Sequence, residues 1–313
     1  MDKAFALVDL AVDAGADVLK IQHFKTDLLV GATASEWRDR LRSKELSDSQ
    51  VISIKQYCDQ RNIVFMCTGH DEESLAFLNR TVAVPGFKIG SGEIKNWNSI
   101  KSIAGHGKPI ILSTGMYELE DIRDVIKAVS DGGGTELAIL HCITSYPTDA
   151  EDVNLSVMSQ IREFFEGPVG YSDHTSGTAV PLAAVAMGAD IIEKHITLDF
   201  DVPDAQDWKV ACGPQNFAAF VSDVREIESA IGGKPKTVSL MEKDAALWAR
   251  KSIVARVDIP SGVVISSEML IYQRPGTGMC PSERDDLIGQ VSKIFIPEGT
   301  VLSAEMVSSE ILL

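Results

Sequence analysis

The chain has 313 residues, 45% of them hydrophobic and 24% charged, with a formal net charge of -16 at pH 7. That length suits one large core and one satellite module, and the composition is that of a globular protein. The acidic balance argues against nucleic acid or an anionic membrane surface as a partner, because both require clustered cations, so any phosphate site has to be built locally.

Five cysteines, Cys58, Cys67, Cys142, Cys212 and Cys280, form no C-x-x-C pair and supply no disulfide framework. Reduced thiols and a cytoplasmic location are the expectation. Met1 to Gly15 is interrupted by Asp2, Asp9 and Asp13 and reads as an amphipathic helix rather than a signal region. No later stretch approaches the roughly 20 consecutive apolar residues of a spanning helix, so membrane insertion is not expected.

Along the chain, short apolar runs alternate with segments of helical period. Strands are predicted at Asp17–Gln22, Ile63–Cys67, Gly86–Ile89, Pro109–Ser113, Leu137–Cys142, Pro168–Tyr171 and Asp190–His195. Helices are predicted at Ser49–Gln60, Glu72–Leu78, Glu118–Val129, Leu155–Phe165, Thr178–Met187 and Pro214–Ala230, with Ser47 and Gln50 in capping-box spacing before the first of these. The alternation specifies a parallel sheet, but it gives seven strands where a closed (β/α) barrel needs eight. The reading is therefore a TIM-type barrel lacking its first strand: either the true start lies upstream of Met1, or the barrel carries two unpaired edges and a slot in its core.

After the last helix, Gly232-Gly233-Lys234-Pro235-Lys236 breaks helical order, so the expected division is a barrel over 1–231, a linker over 232–247 and a small β-rich domain over 248–313. The small domain carries an internal repeat in which Ile259-Pro260-Ser261-Gly262-Val263-Val264 recurs as Ile296-Pro297-Glu298-Gly299-Thr300-Val301 and continues through Met269-Leu270 and Met306-Val307. Two copies suggest a pseudo-symmetric fold.

Catalytic groups of a parallel barrel lie at the carboxyl ends of its strands. Here those positions are consistently polar: Lys20 and Gln22, Thr68, Lys88, Ser91 and Glu93, Ser113 and Thr114, His141, Ser172 to Thr175, and Glu193 to His195. His174 and His195 follow consecutive strands and would be neighbours on the rim, an arrangement that suits a divalent metal, although two hydrogen-bonded core histidines would give the same spacing. His141, deeper in its apolar run, is expected to make a structural hydrogen bond. Lys88 to Glu93 combines a cation, a hydroxyl and glycines beside a carboxylate, a plausible anion cradle, while Lys20 in an otherwise apolar strand is costly unless an anion meets it.

These segments resemble the N-acetylneuraminate (sialic acid) synthase family. The motifs are Lys20-Ile21-Gln22, Lys88 to Glu93, Ile111 to Met116, Leu140-His141-Cys142 with Tyr146-Pro147-Thr148, Gly170 to Thr175, and Ile192-Glu193-Lys194-His195. The tail, with Arg250 to Ala255 and Arg274-Pro275-Gly276, resembles the antifreeze-like (SAF) domain that ends such synthases.

The resemblance implies condensation of phosphoenolpyruvate with an N-acyl hexosamine aldehyde. Phosphoenolpyruvate would be held by Lys20, Thr68, Lys88, Ser91, Thr144 and Ser172 with Glu93 beside it, and a manganese-like ion, or magnesium or cobalt, by His174 and His195. The sugar would meet Gln22, Tyr146 and Asp207, or Asp204 in place of Asp207. It would also meet Arg274, reaching over from a partner subunit in a domain-swapped-style homodimer. Two departures from the family pattern, His23 and the Thr68-Gly69-His70 turn in place of Thr-Pro-Phe, are expected to face the site. Against this stand another metal-assisted sugar-acid synthase or isomerase on the same barrel, and a non-catalytic binding homologue.

Overall fold

The computed structural model describes all residues but Asp204, Lys234 and 309–313. The alternative sugar contact Asp204, one residue of the expected linker and the end of the expected small domain thus fall outside the described residues. Two compact units are present, Met1–Gly232 and Gly233–Leu313.

In the first unit seven parallel strands follow one another in sheet order: β1 (Val18–His23), β2 (Val64–Gly69), β3 (Phe87–Ile89), β4 (Ile110–Ser113), β5 (Leu137–Cys142), β6 (Val169–Asp173) and β7 (Ile192–Lys194). Each is paired to the next in parallel register, Lys20 opposite Met66 and Ser172 opposite Glu193 among others. Right-handed helical crossovers are the only short way to join such strands, and they place the helices on the outer face. The core between the layers is built from Leu19, Phe65, Phe87, Ile100, Ile110 and Leu112 with their neighbours, all nearly inaccessible.

Among the described residues β1 pairs only with β2, and β7 ladders only with β6, so the barrel is open. Between β1 and β7 runs a cavity of about 1170 Å³, walled on its apolar side by Leu19, Ile21, Ile192, Phe217 and Phe220. It is the slot that seven strands leave.

Local chemistry explains the boundaries. Helix Asp48–Gln60 opens on the anticipated capping box, with Gln50 N donating to Ser47 Oγ and Ser47 N donating to Gln50 Oε1 at 2.8 Å. The helix expected over Leu155–Phe165 shortens to Val157–Arg162, since Asn154 adopts φ 48° and turns the chain after a separate short helix, Ala150–Val153. Glu72–Phe77 passes into a π-type turn, Leu78–Val82, which ends where Ala83 takes φ 53°. Strand β7 is three residues long because His195 and Thr197 bond instead with Cys212. No helix among the described residues is long and apolar enough to cross a membrane.

In the second unit, helix Leu240–Ala249, capped by Ser239 and Glu242, occupies part of the stretch read from sequence as linker. Two antiparallel pairs follow, β8 (Ser252–Ala255) with β9 (Leu270–Gln273) and β10 (Val291–Ser292) with β11 (Val307–Ser308). The two repeats are equivalent in burial, Ile259 with Ile296, Ile265 with Leu302 and Leu270 with Val307 all lying in one core.

Candidate active site

Because strand residues alternate between faces, side chains two apart at the carboxyl end of a strand project together. Lys20 and Gln22 on β1, Ser172 on β6 with His174 just past it, and Glu193 on β7 with His195 obey this spacing. Lys20, Gln22, Lys88, Tyr146, Glu193, His195 and Asp207 line the polar end of the cavity between β1 and β7.

At its floor two ammonium groups converge on one carboxylate. Lys20 Nζ lies 3.8 Å from Glu193 Oε1 and Lys88 Nζ 3.7 Å from Glu193 Oε2. Lys88 also donates to Ser113 Oγ at 2.7 Å and to the Ile89 carbonyl at 3.0 Å, while Ser172 Oγ donates to Glu193 at 2.9 Å. Burial pushes the Lys88 pKa down, and Glu193 works against that shift. Burial alone would raise the Glu193 carboxyl, yet Lys20, Lys88 and Ser172 hold it at about 2. Glu193 is therefore ionised at neutral pH, and two lysines facing one carboxylate leave surplus positive charge where an anion can reach it.

Beside this cluster three loops meet so closely that only glycine fits. A Cβ on Gly115 would stand 2.1 Å from Thr144 Oγ1 and 2.8 Å from Ser91 Oγ, and the Gly115 N–H donates to Ser91 at 2.9 Å. Thr68, buried on β2, is in register with Gln22. Glu93, on the turn Ser91–Glu93, accepts from Asn96 at 2.8 Å.

The two imidazoles are neighbours as expected, with ring centroids 5.3 Å apart, and the Tyr146 ring stacks on His174 at 4.1 Å. His174 Nδ1 sits 2.6 Å from the Ile143 carbonyl, which can only accept, so the proton is on Nδ1 and the Nε2 lone pair is available. Burial lowers the His174 pKa, and burial followed by Lys20 brings His195 down to about 4. Both rings are thus neutral at pH 7, the form a divalent cation requires. Asp207 Oδ2 stands 3.8 Å from His195 Nδ1. No group of three or more His, Cys, Asp or Glu is assembled for an ion among the described residues, so the pair offers two protein donors and leaves the remaining positions to water or substrate oxygen. The residues fit a metal on those terms.

His141 Nε2 is 2.6 Å from the Val153 carbonyl, a structural bond. Behind the imidazoles, Asp173 and Lys194 form a buried ion pair; Asp173 also accepts from Thr175, and Lys194 donates to the Thr175 carbonyl, fixing the loop that carries His174.

One departure was misplaced by the sequence reading. His23 does not face the mouth: it is one residue beyond Gln22 and alternation turns it outward, where it is 1% exposed, 3.3 Å from Asp48 and packed on Phe77. His70 reaches a residue that lines the cavity, its Nε2 2.9 Å from Gln22 Oε1. Arg274 belongs to the second unit, its guanidinium 5.8 Å from the Trp248 ring centroid. The residue given no role from sequence is Glu193. Its two-residue spacing from His195 was the available signal.

Residues 7–236 match the NeuB family and residues 250–308 the SAF domain. The N,N'-diacetyllegionaminic acid synthase of Legionella pneumophila is 37% identical, over 97% of this chain and 89% of that one; the human N-acetylneuraminate-9-phosphate synthase is 30% identical over 99% and 89%. Among solved structures, the N-acetylneuraminic acid (sialic acid) synthetase of Leptospira borgpetersenii superposes with a TM-score of 0.72 at 30% identity, covering 78% of this chain and 84% of that one. The chain belongs to the NeuB family and ends in a SAF domain.

Proposed function

We propose that this chain condenses phosphoenolpyruvate with an N-acyl hexosamine in its open-chain aldehyde form, giving a nonulosonic, sialic-type acid and phosphate. One observation carries the reading: Lys20 and Lys88 converge on Glu193 inside a cavity that Gln22, Tyr146 and His195 also line. A donor with three negative charges must enter a protein of net charge -16, so local cations have to overcome the general field.

In this reaction C3 of phosphoenolpyruvate bonds to the aldehyde carbon, water adds at C2, and phosphate leaves by C–O cleavage. Lys20 and Lys88 neutralise the phosphate and carboxylate, and the hydroxyls of Thr68, Ser91, Thr144 and Ser172 complete the cradle, with Glu93 beside it. Glu193 keeps the two ammonium groups in place and compensated until the anion arrives. Gln22, Tyr146 and Asp207 form the sugar wall. His174 and His195 would hold a divalent ion, manganese in preference to magnesium or cobalt, which supplies Lewis acidity toward the aldehyde oxygen when bound. Arg274 would complete the sugar site of a partner subunit in a head-to-tail homodimer. The free cysteines, none of them paired in a disulfide, support a cytoplasmic setting.

The test is phosphate release. Incubation with phosphoenolpyruvate, N-acetylmannosamine and manganese should liberate phosphate only when both organic substrates are present. Release from phosphoenolpyruvate alone, or none with any N-acyl hexosamine, overturns the reading.

A further inference from the structure

His70 does something that neither the parallel sheet nor the anion cluster requires. It follows β2, its backbone N–H donates to the His23 carbonyl at 3.1 Å, and its ring stands edge-on to Phe24 with centroids 6.3 Å apart. The ring is half-buried, and among the described residues its side-chain hydrogen bond is the 2.9 Å contact with Gln22 Oε1. A carbonyl oxygen only accepts, hence Nε2 carries the proton. Burial, reinforced by Lys20, holds the His70 pKa at about 4, so at neutral pH the ring is uncharged and has a single N–H to donate.

The consequence falls on Gln22, which lines the cavity together with Lys20 and His195. A free carboxamide can turn over and offer either its oxygen or its nitrogen to a ligand. With the oxygen engaged by His70, the nitrogen and its two hydrogens are left for the cavity.

We propose that His70 is a positioning residue: by holding Gln22 Oε1 it aims the carboxamide N–H groups at the acceptor sugar, so the site selects a hexosamine bearing an acyl carbonyl over one bearing a free amino group. The inference rests on the condensation proposed above and names the residue that sets its preference for an acylated acceptor. An N-acyl carbonyl accepts from the amide, whereas the ammonium of an unacylated hexosamine can only donate and is left unpaired against a donor wall, the situation in which hydrogen-bonding sites discriminate most strongly.

Two variants test it: His70→Phe keeps an aromatic ring without the donor, and His70→Gln keeps a donor. His70→Phe should raise the KM for N-acetylmannosamine about tenfold, leave the KM for phosphoenolpyruvate within about twofold, and narrow the preference for N-acetylmannosamine over mannosamine. His70→Gln should recover most of that loss. Equal loss for both substrates, or no change in the acyl preference, overturns the assignment. A second readout needs no turnover: the Gln22 side-chain amide resonance, identified by its loss in Gln22→Glu, should shift in His70→Phe and return in His70→Gln. A resonance that does not move refutes the positioning role. Should the unaltered protein turn over no sugar, the condensation reading fails, and the amide resonance alone decides on His70.

Discussion

Lys88 on β3 and Glu193 on β7 face each other at 3.7 Å, although their strands stand four places apart in the sheet. The sheet therefore curls far enough for its two halves to share one ion cluster, even with the gap between β1 and β7. That curvature sets the charge density of the anion site and makes it open to test.

Replacing Lys20 or Lys88 by Met keeps the apolar stem and removes the cation. Each charge-assisted bond to phosphate or carboxylate should contribute on the order of 1.5–3 kcal/mol, so the KM for phosphoenolpyruvate should rise about tenfold or more in either variant. Melting curves recorded alongside separate this from a structural role: altered melting with unchanged affinity would end the phosphate assignment.

Acid titration isolates Glu193. Its folded-state pKa of about 2 lies below the ordinary 4.5, so its contribution to stability is fully present above about 4.5 and fades as pH falls toward 2. Glu193→Gln should be less stable than the unaltered protein at pH 7, and the gap should close progressively between about pH 5 and 2. Denaturant melts across that range check it; a gap that stays constant with pH would contradict the pairing.

For the imidazole pair, His174→Ala and His195→Ala should each abolish manganese binding in calorimetry and bring turnover down by about a hundredfold or more. Metal-stimulated turnover surviving in both variants would sink the two-histidine site.

Gly115→Ala forces a methyl group to 2.1 Å from Thr144 Oγ1, too close to accommodate without moving a loop. Overpacking of this kind costs about 1–3 kcal/mol, and the cradle should open. Lower melting temperature together with weaker phosphoenolpyruvate binding is the expected pair of results, the second being absent if the loops only support the fold.

Arg274→Ala should raise the KM for the sugar more than that for phosphoenolpyruvate. Steady-state kinetics with each substrate varied in turn distinguishes this from an equal loss on both sides.

Much of the first unit was legible because period-two and period-3.6 patterns are local. The seven strands, the Ser47–Gln50 cap and the strand-end census need only neighbours in sequence. What escaped depends on facing and on distance. His23 was assigned to the mouth by proximity to Gln22, whereas alternation alone sends it to Asp48 and Phe77. The role of Glu193 required knowing that β1, β3 and β7 curl around a common interior, and that of Gly115 required knowing that loops after β3, β4 and β5 touch. Neither fact is written in any single stretch of chain.

The duplicated segment of the second unit has a consequence beyond packing. Ile259 and Ile296 exchange both backbone hydrogen bonds at 2.8 Å; Val254 pairs with Val301 as Val264 does with Val291; and Gly299 N–H bonds to the Ala255 carbonyl as Gly262 N–H does to that of Ser292. Each of these contacts is returned by its counterpart 37 positions along, an offset read directly from Ile259 and Ile296. That reciprocity is the hallmark of an isologous interface, in which one surface recognises itself across a two-fold axis. The unit is built like a dimer of two half-length modules that share one chain, with the self-pairing Ile259 and Ile296 on the axis, and the peptide joining the halves is itself bound to both, Met279 N donating to the Leu302 carbonyl and the Met279 carbonyl accepting from Ile253 N, each at 2.9 Å.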